Sequence, residues 1–453
     1  NIYTIYINMS VNESVIYTPS PESLPTTDSY YTPIRPSNGS SFSPGQSIYV
    51  DVPAMRNSYL DASNSWLDFS CKFTIIGAAP AASVNTYHLT SSGAAGLISS
   101  LYSWSSNNSN LESITQYAEL SRMLNVVSQD DTVNNSIRTI TSGIENSISL
   151  NNNLLGENVY DTLVAKDLKF SIPLVSSVFG TLSAGRYHAL ALLNGSTRLQ
   201  LDLISNAFDA ICQHASTATA VTSCTFEITN VAYNAKIVRV TEAAQQAIVA
   251  NARQDENGVI SYSSVGWRSY PRSIAVNQSG ESTFLVPARF RSLNNIIWGI
   301  RNPRSSNYAG QDPSNTYTVA SSWYSRVGGV PYPSIPPNTR SSIVQYLMGA
   351  FHSISNTLAD TIISNSSYGT TGGTITQNQT VTDSEKSYCG LSYESFNDSA
   401  GSVNGLDTSS DLIEVLINKV SKVNGSASGQ LTFHCQYDCL FSIDAEGNMS
   451  VSF

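Results

Sequence analysis

Residues 65–76 read Ser-Trp-Leu-Asp-Phe-Ser-Cys-Lys-Phe-Thr-Ile-Ile. From Leu67 onward apolar and polar side chains alternate, and Trp66 is offset from this pattern by one residue. A period of two, carried by aromatic and β-branched residues, is typical of a strand that buries one face. The stretch therefore predicts a half-buried strand of an antiparallel sheet.

The same pattern recurs on both sides of this stretch. Residues 47–53 alternate in the same way, and Asn57 to Asp61 supplies the predicted turn before the next strand. Asn194-Gly195 is a typical hairpin turn. Further strands of the first half are predicted over 168–174, 187–193, 197–204, 224–231 and 235–240.

The second half of the chain has a similar organisation. Strands are predicted over 259–265, 282–287, 296–300, 410–417, 429–441 and 449–453. Spacings of three and four between apolar residues predict short helices over 111–124 and 341–358, and an Ala/Gln-rich segment predicts one over 241–252. Strands at this density, without regular alternation with helices, predict an all-β fold of antiparallel β-sandwiches with about eight strands each.

A chain of 453 residues is too long for one ordinary core. We predict an extended N-terminal arm (1–40), a linker helix (241–257) and two sandwich domains. The first domain covers 41–240, with a long loop insertion over 78–165. The second covers 258–453, with an insertion over 302–380. We expect translation to begin at Met9.

The composition favours self-assembly. The chain is 41% hydrophobic, but only 12% of its residues are charged, about half the usual share. A surface with few ions is easily buried against copies of itself, because few charges must be desolvated. The net charge of −10 and the lack of a basic terminal arm argue against a tail that grips nucleic acid. No run of about 18 apolar residues predicts a membrane span.

No catalytic motif stands out. The sequence lacks G-x-S-x-G, H-E-x-x-H and a Walker loop, so we predict a structural protein without enzymatic activity and without a cofactor. The five histidines, which share no ligand spacing, are His88, His188, His214, His352 and His434. His188 and His434 fall inside predicted strands, which favours structural roles for both.

Two groups of residues are candidate metal ligands. Cys435 and Cys439 lie four residues apart on one predicted strand, and therefore on the same face. They are a conceivable metal pair, but buried apolar thiols are the favoured interpretation. Asp51, Asp61 and Asp68 are a conceivable divalent-ion site, although a solvated strand face and turn is favoured over it.

A local group of arginines is the candidate interface. Arg289 and Arg291 flank Phe290, and Arg301 and Arg304 follow. Contact with nucleic acid is one interpretation. A subunit interface is favoured, because the forked guanidinium pairs well with a carboxylate across such an interface.

Four blocks, in order, resemble the major capsid proteins of double jelly-roll viruses. The group includes adenovirus-like hexons, the coat proteins of tectivirus-like phages, virophages and Polinton-type elements; the Polinton and adintovirus members are the most similar. The first block runs from Phe42-Ser-Pro-Gly to Tyr59-Leu-Asp and Phe69, with Trp66 where tyrosine is common in the family. The others are 172–204, Phe284-Leu-Val-Pro-Ala-Arg-Phe-Arg-Ser-Leu293, and Tyr393-Glu-Ser-Phe396 with Asn404-Gly-Leu-Asp-Thr-Ser409.

This resemblance implies two tandem jelly rolls that stand upright on a virion shell. Three chains would form a homotrimer with a pseudo-hexagonal outline, and such trimers would tile an icosahedral capsid around a genome. The long insertions would form outer towers. The implied partners are further copies of the chain, a vertex (penton) protein and minor cement proteins.

Three alternatives stay open from the sequence. A carbohydrate-binding or adhesive β-sandwich would use exposed Tyr and Trp side chains. A single-jelly-roll capsid protein with a protruding domain would contain only one such sandwich. A β-sandwich hydrolase would need paired carboxylates, and no such pair can be nominated.

Overall fold

A computed structural model describes most of the chain beyond residue 25. The described residues are 26–77, 85–90, 92–128, 137–143, 157–159, 162–163, 167–183, 186–214, 221–252, 259–274, 280–301, 316–317, 320, 322–351, 388–394, 404–418 and 429–453. Their helices are α1 (Tyr117–Ser128), α2 (Thr139–Ser142), α3 (Glu242–Ala252) and α4 (Arg340–Gly349).

Strands β1 to β13 precede α3 and build two antiparallel sheets, here called the first sandwich. They are β1 (Thr26–Ile34), β2 (Ser41–Phe42), β3 (Ser47–Val52), β4 (Ser58–Gly77), β5 (Asn85–Leu89), β6 (Ile98–Trp104), β7 (Asn110–Thr115), β8 (Glu157–Val159), β9 (Thr162–Leu163), β10 (Asp167–Ile172), β11 (Thr197–Leu203), β12 (Ile211–His214) and β13 (Val221–Val240). The larger sheet has the order β1-β13-β4-β9-β8-β5-β12, with β10 paired to β4 and β2 to β13, and the smaller has the order β3-β11-β6-β7.

Strands β14 to β23 follow α3 and form the second sandwich. They are β14 (Ile260–Ile274), β15 (Glu281–Val286), β16 (Leu293–Arg301), β17 (Thr316–Tyr317), β18 (Ser322–Val327), β19 (Val330–Tyr332), β20 (Cys389–Ser392), β21 (Ile413–Asn418), β22 (Gly429–Ile443) and β23 (Met449–Ser452). One sheet has the order β14-β22-β16-β17, with β20 on β16 and β23 on β22, and the other has the order β15-β21-β18-β19.

Alternation along the strands produces the apolar core, which is continuous through both sandwiches. In β4 the side chains of Leu67, Phe69, Cys71 and Phe73 are all buried, as the period of two requires. Phe73 packs against Phe226 of the neighbouring β13, with ring centroids 5.8 Å apart. In the second sandwich the two sheets meet through aromatic side chains: Trp298 of β16 lies edge-on to Trp323 of β18 at 6.1 Å. The predicted all-β, sandwich-based fold is confirmed.

Parts of both predicted insertions are strands of the sandwiches. Within 78–165, β6 and β7 form a hairpin, and β6 pairs with β11 inside the smaller sheet. Within 302–380, β18 pairs with β21. The loop prediction is wrong for these strands, because many of their positions hold Ser, Asn or Arg instead of the β-branched residues that mark a strand. Residues 352–387 lie outside the described part of the chain.

Three local predictions are also wrong. The predicted helix over 111–124 is instead β7 followed by α1, since Gln116, at φ 56°, separates the two elements. The predicted strand over 187–193 is a single bridge at His188 and a short 3-10 turn, because its alternation rests on Ala and Leu, which lack strand preference. Asn194-Gly195 therefore does not close a hairpin.

The turn predicted from Asn57 to Asp61 is shorter than expected. Asn57 adopts φ 56°, and β4 begins at Ser58. Asp61 lies at a bulge where the pairing of β4 with β13 changes register, and its carboxylate accepts hydrogen bonds from Ser63 and Asn64. The Asp61 side chain therefore marks a bulge within β4, and the strand does not end there.

Part of the segment predicted as an N-terminal arm belongs to the larger sheet of the first sandwich. β1 pairs with β13 from Thr26 to Ile34, at the edge of that sheet. Among the described helices, none is long and apolar enough to cross a membrane.

Candidate functional site: the junction between the two sandwiches

A buried carboxylate lies where the first sandwich meets the second. Glu112 of β7 is only 2% exposed. Its carboxylate accepts hydrogen bonds from the hydroxyls of Ser103, Ser176 and Ser177 and from the backbone N–H of Ser177 at 2.8 Å. Burial raises the pKa of Glu112, and these hydrogen bonds lower it by smaller amounts. The carboxylate thereby fixes the segment that follows β10 against β7.

Hydroxyl groups extend this network into the second sandwich. The Ser177 hydroxyl lies 2.8 Å from the Glu112 carboxylate and 2.8 Å from the carbonyl oxygen of Val265, and donates its one proton to one of them at a time. Thr115 donates to the carbonyl of Ser269 at 3.3 Å, and Ser264 donates to the carbonyl of Leu182 at 3.0 Å. Single polar contacts of this kind join β14 to the first sandwich along its length.

A charged cluster forms a second part of the junction. Glu119 of α1, 4% exposed, accepts a hydrogen bond from Thr432 of β22 at 2.9 Å. Arg301 of β16 lies 3.5 Å from the same carboxylate and donates to Gln116 and Gln430. Arg301 therefore links α1 of the first sandwich to β16 and β22 of the second.

His434 completes this cluster. Its side chain is fully buried, and Nδ1 lies 2.9 Å from the Ser269 hydroxyl. Nε2 lies 4.0 Å from Oε1 of Glu119, and neither atom has a hydrogen-bond partner among the described residues. Burial lowers the pKa of His434 to about 4, while Glu119 raises it and Arg301 lowers it by smaller amounts.

His188 bridges the two sandwiches at a separate position. Nδ1 lies 3.2 Å from the hydroxyl of Tyr262 in β14, and Nε2 lies 3.3 Å from the hydroxyl of Thr197 in β11. The backbone of His188 exchanges two hydrogen bonds with Leu60. Burial lowers the pKa of this imidazole to about 4, so it is neutral at pH 7.

Backbone atoms come into close approach at Gly447. This residue has φ +83°, and a Cβ here would lie 2.7 Å from the nitrogen of Asn194 and 2.8 Å from the oxygen of Leu192. The Asn194 N–H donates to the carbonyl of Gly447 at 3.0 Å. Only glycine fits this position, where the turn before β23 contacts the first sandwich.

The structure separates the arginines of the candidate interface. Arg289 and Arg291 are exposed, beside the buried Phe290. Arg301 is 22% exposed, and its contacts lie inside the chain, at the junction. Arg304 lies outside the described residues. Sequence spacing predicts one group of arginines, but of the three that the structure describes, Arg289 and Arg291 are exposed and Arg301 is only partly exposed.

The three candidate aspartates are not brought together as one site. Each has its own partner: Asp51 pairs with Arg198 at 2.7 Å, Asp61 with Lys236 at 3.0 Å, and Asp68 accepts a hydrogen bond from Asn234. In the described part of the chain no three His, Cys, Asp or Glu side chains cluster as metal ligands do. The aspartates instead tie neighbouring strands together.

Cys435 and Cys439 are both buried, on one face of β22. Burial raises the pKa of both thiols, which keeps them protonated, and the Cys439 thiol lies 3.4 Å from the carbonyl oxygen of Ser264. The side chains of His88 and His214, and the whole of His352, fall outside the described residues.

The junction holds two sandwiches in one fixed relation, and its chemistry is that of a structural joint. The sequence predicts structural roles for His188 and His434 but does not place them at the junction. The contacts join residues as far apart as Glu119 and Thr432, a separation that no local pattern reports. One sequence feature does indicate the junction: Glu112 and Glu119 lie within apolar stretches. A carboxylate that is buried there needs hydrogen-bond or ion-pair partners.

Comparison with known proteins identifies the fold. The chain is similar to a chain in the cryo-EM structure of the Sputnik virophage (11% identity, TM-score 0.63, covering 100% of this chain and 93% of that one). It is similar to the mavirus major capsid protein (9% identity, TM-score 0.58, covering 100% and 95%). It is also similar to a chain of the PBCV-1 virus capsid (11% identity, TM-score 0.57, covering 97% and 100%).

No family model and no curated protein sequence matches the chain. At identities near one in ten, the structural similarity establishes a shared fold. The two sandwiches are therefore the two jelly rolls of a double jelly-roll fold, and the resemblance seen in the sequence is confirmed at the level of the fold.

Proposed function

We propose that this chain is a major capsid protein, and that three copies form a pseudo-hexagonal tile of an icosahedral virion shell. The observation that carries the proposal is the fixed pair of jelly rolls in one chain. Two similar domains per chain allow three chains to fill six positions of a near-hexagonal outline. The mavirus major capsid protein has the same fold over 95% of its length.

The composition supports assembly by burial of large surfaces. With 12% charged residues, the surface carries few ions that must lose water at an interface. Obligate interfaces of this kind are larger and more apolar than transient ones. Exposed apolar side chains of the described surface include Tyr31, Tyr187, Leu285 and Ile335.

Several finer points belong to the same proposal. The chain has no enzymatic role and works as a shell component, with a vertex protein and minor cement proteins as further partners. The genome is enclosed without a basic tail, in accord with the net charge of −10. The domains meet at α3, as the predicted linker over 241–257 implies.

Arg289 and Arg291 are the proposed contacts to a neighbouring subunit. Both are exposed, and the arginine fork suits pairing with a carboxylate across an interface. They lie next to Phe290, which stacks on Tyr437 with ring centroids 4.1 Å apart. A rigid aromatic base of this kind holds the segment in place for a partner.

Mass photometry of the purified full chain tests the proposal. We expect a stable species of three times the 48.8-kDa chain mass, or larger shells in negative stain. A monomer at micromolar concentration under all ionic strengths would exclude the capsid role. A glycan array, expected to be negative, separates it from the adhesive alternative.

A further inference from the structure

We infer that the junction between the two jelly rolls is an acid-labile joint, which opens when His188 and His434 take up protons. Both imidazoles are fully buried, and each lies between one jelly roll and the other. The inference concerns the isolated chain, so it does not depend on trimer formation.

The surroundings of His188 offer no charge to stabilise a protonated ring. Its two ring nitrogens contact the neutral hydroxyls of Thr197 and Tyr262, and burial is the sole cause of its lowered pKa. An imidazolium donates from both nitrogens but, once buried, loses its hydration. Water reaches the ring if Tyr262 of β14 moves away, and that movement separates the jelly rolls.

The surroundings of His434 are already charged. Glu119 of α1 and Arg301 of β16 are the charged groups that face it, and Ser269 of β14 occupies Nδ1. The carboxylate of Glu119 is shared with Arg301 and Thr432. A proton on His434 places a second cation on one buried carboxylate, beside a guanidinium. The repulsion between protonated His434 and Arg301 is relieved when α1 separates from β22, and that movement also separates the jelly rolls.

The polar contacts across the joint include several single hydrogen bonds. Ser177, Thr115 and Ser264 each contribute one hydrogen bond between the jelly rolls. Each is worth only about 1 kcal/mol net, so the cost of burying an imidazolium outweighs several of them. Within each jelly roll, by contrast, long strand ladders such as β4 with β13 hold the sheets.

The sign of the pH dependence follows from the histidine pKa values. Each folded-state value, about 4, lies below the ordinary value of 6.5. As the pH falls through this window the opened state binds protons that the closed state does not, so the closed state loses stability. Glu112 acts in the opposite sense, because burial raises its pKa and protonation on acidification favours the closed state.

Hydrogen exchange of the full chain at pH 7.5 and pH 5, corrected for the intrinsic rates, tests the inference. We expect the opening constant of α1 and β14 amides to rise about 30-fold for each histidine over this range, and amides of β4 to change much less. The control variant is His188→Asn/His434→Asn, which keeps a group near each Nδ1 contact but cannot be protonated. We expect it to lose this pH-dependent rise. A variant that responds to acid like the natural chain, or a uniform rise over the whole molecule, would overturn the inference.

Should the double variant fail to fold, NMR of the natural chain labelled at histidine ¹³Cε1 replaces it. Two of the five imidazole signals are expected to stay neutral from pH 7.5 to pH 5 while the chain remains closed. Titration of all five near pH 6.5 in the closed protein would overturn the inference. Neither readout depends on assembly, so its failure is distinct from the failure of the capsid proposal.

Discussion

Single residues set how close the two jelly rolls can come, and Gly447 is the clearest case. It combines a positive φ with backbone atoms of Asn194 and Leu192 at the place where a Cβ would stand. Gly329 has a nearly identical φ, +84°, but nothing lies within 4 Å of its would-be Cβ. Comparison of Gly447 with Gly329 therefore distinguishes two free-energy costs of alanine: its strain at a positive φ, and the contact of its Cβ with neighbouring backbone.

We predict that Gly447→Ala destabilises the protein more than Gly329→Ala does. Alanine at a positive φ costs about 1–2 kcal/mol at either position. At Gly447 the collision with backbone adds about 1–3 kcal/mol, because the neighbouring chain must shift. Urea unfolding of the two variants measures the difference. If both variants lose the same free energy of unfolding, the turn before β23 does not contact the first jelly roll closely.

At this scale the sequence predicts some roles well and others not at all. The alternation from Leu67 to Phe73 identifies four core side chains, because the period of a strand is a local property. The partners of Asp51, Asp61 and Asp68 come from other strands, so proximity in sequence suggested a shared site that the fold does not form. Arg301 likewise belongs to the junction, although its neighbours in sequence suggested a surface contact.

At the scale of elements, β1 extends the larger sheet of the first jelly roll to its edge. The strand pairs with β13 along its length, and Tyr31 packs on Trp66 of β4 with ring centroids 5.0 Å apart. Ile34 packs against the core. The strand thus covers an edge that would otherwise expose unpaired backbone groups to another chain.

We predict that removal of residues 1–34 lowers the free energy of unfolding by at least about 2 kcal/mol, since Trp66 and the core near Ile34 are uncovered. The matched control removes residues 1–25 and leaves β1 whole. Chemical denaturation compares the two truncated chains. If both have the same stability, β1 does not contribute to the sheet as described.

Elements differ in how clearly the sequence marks them. β22 and long parts of β4 and β13 carry alternations of aromatic and β-branched residues, so local sequence predicts them, but it does not mark the bulges within β4 and β13. β6 and β7 contain Ser and Asn at many positions, and their place in the smaller sheet depends on pairing with β11, about 100 residues later. Such strands are defined by tertiary pairing and not by propensity.

At the scale of the whole molecule, the exposed arginines beside Phe290 test the proposed subunit contact. We predict that Arg289→Glu/Arg291→Glu weakens oligomers at least about tenfold, because a reversed charge meets a carboxylate of the neighbour. Arg35→Glu, at an exposed position near β1, is the matched control and should assemble normally. Mass photometry over a concentration series gives both dissociation constants. If Arg35→Glu weakens the oligomers as much as the double change does, Arg289 and Arg291 do not form the subunit contact.

The order of the two sandwiches along the chain was accessible from sequence, because strand density is high on both sides of α3. The joint between them was not accessible, since its contacts connect β7, α1 and the segment after β10 with β14, β16 and β22. The proposed tile depends on that joint, because two jelly rolls with a variable relation could not fill two fixed positions.

Cryo-electron microscopy of the purified oligomer tests this account most directly. The account predicts particles with threefold symmetry and a near-hexagonal outline, in which six jelly rolls are resolved and each chain contributes two. A particle in which the two jelly rolls of one chain do not occupy neighbouring positions of such a ring, or a preparation that contains only single chains, would contradict it.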